Sequence, residues 1–125
     1  GNVGYIDVNF AAGSNFPRAI FKADSGNQVT LSDSQSYSTS KVVTSRKIGN
    51  SKTLRVDGVI KQSDTNSLTP GTWTGSYIGA RYASGSVTSF HGGDVHCAIL
   101  LKGAITDSEL LTLEKFIAKL QGRQL

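Results

Sequence analysis

Residues 53–62, TLRVDGVIKQ, constrain the fold most: two runs of strand-forming residues meet at Asp57 and Gly58, which tolerate positive φ at both centres of a two-residue turn. Such a type I′ turn matches the right-handed twist of the strands it joins, so Thr53 to Val56 and Val59 to Gln62 read as a tight antiparallel hairpin. The same grammar recurs along the chain. Tyr5 to Phe10 alternates, with Tyr5, Asp7 and Asn9 opposite Ile6, Val8 and Phe10. Ala19 to Lys22 and Gln28 to Leu31 flank the turn Asp24, Ser25, Gly26, Asn27, and Lys41 to Ile48 is a longer strand closed by Gly49, Asn50 and Ser51. After a polar loop from Ser63 to Gly71 the series resumes at Trp73. Tyr77 to Tyr82 has strand content, Ala83 to Ser89 is a small polar loop, and a further strand runs from Asp94. Its inner face carries Val95, Cys97, Ile99 and Leu101; the other, with Asp94, His96, Ala98 and Leu100, turns apolar at Ala98. That strand is expected to pass from an exposed rim into a region covered on both sides.

One helix ends the chain. Thr106 and Glu109 form a capping box, in which each side chain satisfies the other's free backbone amide, and Ile105 and Leu110 occupy the staple positions. Leu110, Leu113, Phe116, Ile117 and Leu120 recur at helical spacing and are expected to dock as one apolar face. Lys115, Lys119 and Arg123 complement the helix dipole at its far end.

At 125 residues the chain makes a single domain, 1–125, and its abrupt opening reads as a fragment or mature part of a longer product. Abundant Gly, Ser and Thr, with two prolines and no methionine, suit short antiparallel strands joined by tight turns, an all-β sandwich closed by one C-terminal helix. No segment approaches the roughly 20 apolar residues of a membrane span. One cysteine excludes an intrachain disulfide and a Cys-rich zinc site, and Cys97 reads as a small buried apolar residue. The net charge of +4 is scattered. Lys41, Arg46, Lys47, Lys52 and Arg55 alternate with other strand residues, which reads as a solvated strand face rather than a nucleic-acid site.

The ordered set TLRVDGVIKQS, GSYIGARYASGS, FHGGDV and GAITDSEL resembles concanavalin A-like lectin/glucanase domains of the laminin-G-like kind. There, two strands around a glycine turn precede an "IG" strand, a Phe-x-Gly-Asp/Lys-Ile strand and an "A-L-T/S-D-x-E" helix start. The match spans about Lys41 to Leu120. It departs in one extra residue between Phe90 and Asp94, and in Cys97 where many relatives carry an acidic residue. The resemblance implies a jelly-roll sandwich, abbreviated here because few strands precede Lys41. It also implies kinship with the C-terminal parts of bacteriophage tail fibres and tailspikes: a homotrimer on a virion tail appendage or other extracellular structure, binding a cell-surface polysaccharide or receptor. Calcium held by loop carboxylates and carbonyls, with Asp94 the first ligand, is a further implication.

Hydrolysis of a glycosidic bond needs paired carboxylates on one strand. The two glutamates, Glu109 and Glu114, both lie on the terminal helix, and the glucanases' E-x-D-x-x-E arrangement is absent, so no enzyme is expected. His91, Asp94 and His96 form His-x-x-Asp-x-His, but His91 lies in a glycine-flanked loop and no third ligand follows at a known spacing. Sugar recognition asks for aromatic faces beside groups that bond hydroxyls. Trp73, Tyr77, Arg81, Tyr82, His91 and Asp94 fall within one strand-loop-strand unit and form the candidate carbohydrate site; Tyr37 and Lys41, at another loop edge, are a second set. The competing function is a structural or oligomerisation cap of a trimeric fibre, without a ligand of its own.

Overall fold

The computed structural model describes residues 5–10, 16–23, 26–68, 81–83, 86–88 and 94–125. They form a mostly β molecule with two three-stranded antiparallel sheets, a short ribbon and one C-terminal helix. The first sheet joins β1 (Tyr5–Phe10), β2 (Pro17–Lys22) and β3 (Gln28–Ser32) in chain order, and the second joins β4 (Val43–Ile48), β5 (Ser51–Val56) and β6 (Val59–Asp64). The hairpins expected around residues 24–27 and 57–58 are both present. In the first, the Ala23 amide donates to Asn27 O and the Gly26 amide to Ala23 O. In the second, Val56 pairs with Val59 across Asp57 (φ 49°) and Gly58 (φ 80°), the two positive angles of a type I′ turn. A register shift at Leu54/Arg55 leaves Lys61 as the extra residue of β6, a bulge.

The core sits between the sheets. Ala19 and Phe21, on one face of β2, and Ala23 just beyond it bury with Leu31 of β3, Leu54 of β5 and Leu68 of the loop after β6; Val29 and Val43 pack against them. A hydrogen bond from the Ser32 amide to Gln62 Oε1 ties β3 to β6.

The helix α1 (Asp107–Leu120) starts where expected, with Thr106 Oγ1 accepting from the Glu109 amide and Glu109 Oε2 accepting from the Thr106 amide. Its end is a Schellman turn: the Gly122 amide donates to Lys119 O, the Arg123 amide to Ala118 O, and Gly122 takes φ 68°.

Three expectations fail. Residues 94–100 belong to no strand and are exposed, so Cys97 is exposed rather than buried. Residues 86–88, expected as loop, form β8 (Ser86–Thr88), which pairs with β7 (Arg81–Ala83). The helix docks through Leu110, Glu114 and Ala118, while Phe116 and Leu120 of the expected apolar face are exposed. The physical reason for the last is the Glu114 carboxylate, which needs a partner and finds it in Arg55. The expected strand at Trp73, and Tyr77 to Ala80, lie outside the described residues.

Candidate functional site

The carbohydrate rim read from the sequence is only partly within view. Trp73, Tyr77 and His91 lie outside the described residues; Arg81 and Tyr82 open β7, where they pair with Thr88 and Val87 across the ribbon, and Asp94 is exposed beyond it. Among the described residues no three of His, Cys, Asp and Glu stand together as a cation site. Nor is any described helix long and apolar enough to cross a membrane.

The second set, around Tyr37, is fully described. The Tyr37 hydroxyl donates to Asp33 Oδ2 at 2.7 Å, with Gln35 Oε1 at 3.0 Å, and Asp33 Oδ1 accepts from the Gln35 amide. Two ammonium groups flank the ring, Lys41 Nζ at 4.8 Å and Lys61 Nζ at 5.9 Å from its centroid. Burial, then the Asp33 hydrogen bond, pushes the phenol above its ordinary pKa, so it stays a neutral donor. A sugar ring that stacked on Tyr37 would compete with Lys41 for that face. The Asp33 carboxylate is itself buried and pairs with Lys61 at 3.7 Å, so this cluster shapes a loop before it offers a site.

The strongest polar arrangement joins sheet to helix and falls on residues read as solvated. Leu54 and Val56 point into the intersheet core, so Thr53 and Arg55 occupy the opposite face of β5, and α1 lies over that face. Arg55 meets Glu114 with Nε to Oε1 and Nη2 to Oε2, both at 2.9 Å, and its Nη2 also donates to Gly58 O at 2.8 Å. Arg55 is 5% exposed and Glu114 1%. The bond that Arg55 donates to Glu114 raises the Arg55 pKa, and outweighs the opposing effect of burial. Lys52 is also buried; its ammonium meets Asp64 Oδ1, Asn50 O and Asn66 O at 2.7 to 2.8 Å, three acceptors for three protons. Lys41 Nζ, Arg123 Nη2 and the Val42 amide converge on the Asp57 carboxylate. Arg46 reaches Asp107 and Ile105 O at the helix start. Arg46, Lys52 and Arg55 are therefore braces rather than parts of a solvated face, whereas Lys47 bonds Gly49 O at the exposed turn. Alternation cannot reveal this, because a central strand covered by a sheet on one side and a helix on the other still alternates. A local signal existed in Glu114, a carboxylate one helical step (i, i+4) from both Leu110 and Ala118.

A cleft of about 360 Å³ opens between the exposed segment and the end of α1, lined by Ser40, His96, Cys97, Ile117, Leu120 and Gln121. It combines a thiol, an imidazole and an amide with two apolar side chains of the helix, Ile117 and Leu120. Gln121 Oε1 is buried and has no hydrogen-bond partner among the described residues. No protein-family model, curated protein or solved structure matches this chain.

Proposed function

We propose that this chain is a non-enzymatic attachment module: an abbreviated concanavalin A-like jelly roll on a phage tail or other extracellular adhesion protein, recognising a surface polysaccharide or receptor. The observation that carries the reading is local agreement with the family pattern. The Asp57–Gly58 hairpin and the Thr106 cap are compatible with the pattern at TLRVDGVIKQS and GAITDSEL, although the strand that it expects to include Asp94 and Val95 is not formed. A hydrolytic reading is disfavoured because most described carboxylates already have structural work. Asp33, Asp57, Asp64, Asp107 and Glu114 sit in ion pairs, and Glu109 closes the helix cap. Recognition is assigned to the rim from Trp73 to Asp94, on residue chemistry. A glycan array tests it: selective binding that Tyr77→Ala or Arg81→Ala abolishes, with far-UV circular dichroism unchanged, is the expected result. Silence across the array from a stable trimer would overturn it in favour of a structural cap of a fibre. That second reading has its own support in the apolar side chains that α1 and residues 95–101 expose.

A further inference from the structure

We propose that Asp57 is a latent site of spontaneous covalent modification, closure to a cyclic imide and hydrolysis to isoaspartate, which the fold holds off while Lys41 and Arg123 grip its carboxylate. The reaction needs no partner but water. The Gly58 amide nitrogen attacks Asp57 Cγ, a new N–C bond forms, and one carboxyl oxygen leaves as water with the amide proton. Water then adds at the main-chain carbonyl of Asp57, and the original Asp57–Gly58 amide bond breaks. The backbone now runs through Cβ and Cγ, with no net change in mass.

A glycine after an aspartate favours this chemistry, because no side chain shields the attacking nitrogen. The fold cannot give that glycine up. Gly58 takes φ 80°, and a Cβ there would meet Leu111 Cδ1 at 2.8 Å, so the turn and the helix both require a bare backbone. Protection therefore falls on the carboxylate. Its Oδ1 accepts from the Val42 amide at 3.0 Å, and its Oδ2 from Lys41 Nζ at 2.9 Å and Arg123 Nη2 at 2.6 Å, so both oxygens that could leave are held. Burial alone would raise the pKa of this group, but those donors keep it below the ordinary carboxylate value, in the ionised form that is slow to lose an oxygen. Arg55, paired with Glu114 beneath the turn, donates to Gly58 O.

Arg123 is the removable part of this grip. It lies past the Schellman turn with its side chain partly exposed, and its Nη1 is buried with no hydrogen-bond partner among the described residues. An unpaired buried donor weakens the seat of the side chain that carries it. Opening at the end of the helix thus exposes Asp57 to reaction, and reaction makes the opening permanent. Isoaspartate adds one main-chain atom to a two-residue turn and takes the carboxylate from the point where Val42, Lys41 and Arg123 meet it. The inference is independent of the attachment-module reading.

Incubation of the full chain in warm neutral buffer over weeks, followed by peptide mapping with electron-transfer fragmentation, tests it. The expected result is slow isoaspartate formation at Asp57 in the folded chain, and formation at least roughly tenfold faster in concentrated urea. Arg123→Gln should raise the folded-state rate roughly tenfold, and Lys41→Gln should raise it as well. Gly49→Ala, which strains the turn at the other end of β5 without touching Asp57, should leave it unchanged. Equal rates for the folded and the urea-unfolded chain overturn the proposal, as does an unchanged rate in Arg123→Gln. A Gly49→Ala rate that rises as far as that of Arg123→Gln also overturns it, since protection would then follow global stability alone. Should Arg123→Gln fail to fold, the unaltered chain in sub-denaturing urea decides. Isoaspartate that rises before the circular dichroism signal falls is expected, and a rise that only tracks that fall overturns the proposal.

Discussion

At Arg55 a full positive charge is held almost out of water, and the energetics turn on what Glu114 does for it. Removing one partner of a buried pair strands the other, so Glu114→Ala should cost about 3–5 kcal/mol in urea denaturation. Replacing both, as Arg55→Met with Glu114→Leu, should recover most of that loss, because the desolvation of two charges disappears with the pair. A double variant as unstable as the single one would mean that Arg55 matters chiefly through its bond to Gly58 O. Gly58 offers a second test. Its φ of 80° penalises any side chain, and an added Cβ would meet Leu111 Cδ1 at 2.8 Å and Glu114 Oε2 at 3.6 Å. Gly49, at φ 55°, has nothing within 4 Å of the same atom. Gly49→Ala should therefore cost about 1–2 kcal/mol of backbone strain, and Gly58→Ala measurably more, the difference reporting how firmly the helix sits on the hairpin.

Elements whose signals are local were legible, and those defined by distant partners were not. The Asp57–Gly58 turn and the Thr106 cap each depend on residues within one turn of chain, which is why both stand where the sequence places them. The helix's buried face is set by a residue 59 positions away: Arg55 draws Glu114 inward, and the apolar stripe that the spacing marks rotates toward solvent at Phe116 and Leu120. The segment from Asp94 fails for a related reason, since alternation describes a strand only if another strand accepts its hydrogen bonds. For the candidate site, the sequence offered a rim by residue chemistry; of its six residues the structure shows Asp94 exposed and the backbone pairing of Arg81 and Tyr82. Because the helix leans on polar braces, its own start should count. Thr106→Ala removes the acceptor for the Glu109 amide and should lower stability by about 1 kcal/mol, read from the shift in urea midpoint.

Across the whole molecule, Asp57 is where the chain's middle and end are tied. Its carboxylate takes the Val42 amide ahead of β4, the Lys41 ammonium, and Arg123 beyond the helix, which the Schellman turn at Gly122 brings back toward the hairpin. Burial alone would raise its pKa, but the Val42 hydrogen bond, with Lys41 and Arg123, holds it below the ordinary carboxylate value. The sign of the pH dependence follows. A group depressed in the folded state contributes stability that is fully present above the unfolded-state pKa of about 4 and is lost as pH falls through the folded value. Asp64, lowered chiefly by its bond from Lys52, acts in the same direction. The urea midpoint should therefore be level from pH 7 to about pH 5 and fall steadily below about pH 4. Asp57→Asn keeps the shape of the side chain but not its charge, so it should lower the midpoint at neutral pH and flatten the acid limb. A variant that loses neutral stability yet keeps the full acid slope would place the acid-labile tie elsewhere, at Asp64 or at Glu109 in the helix cap.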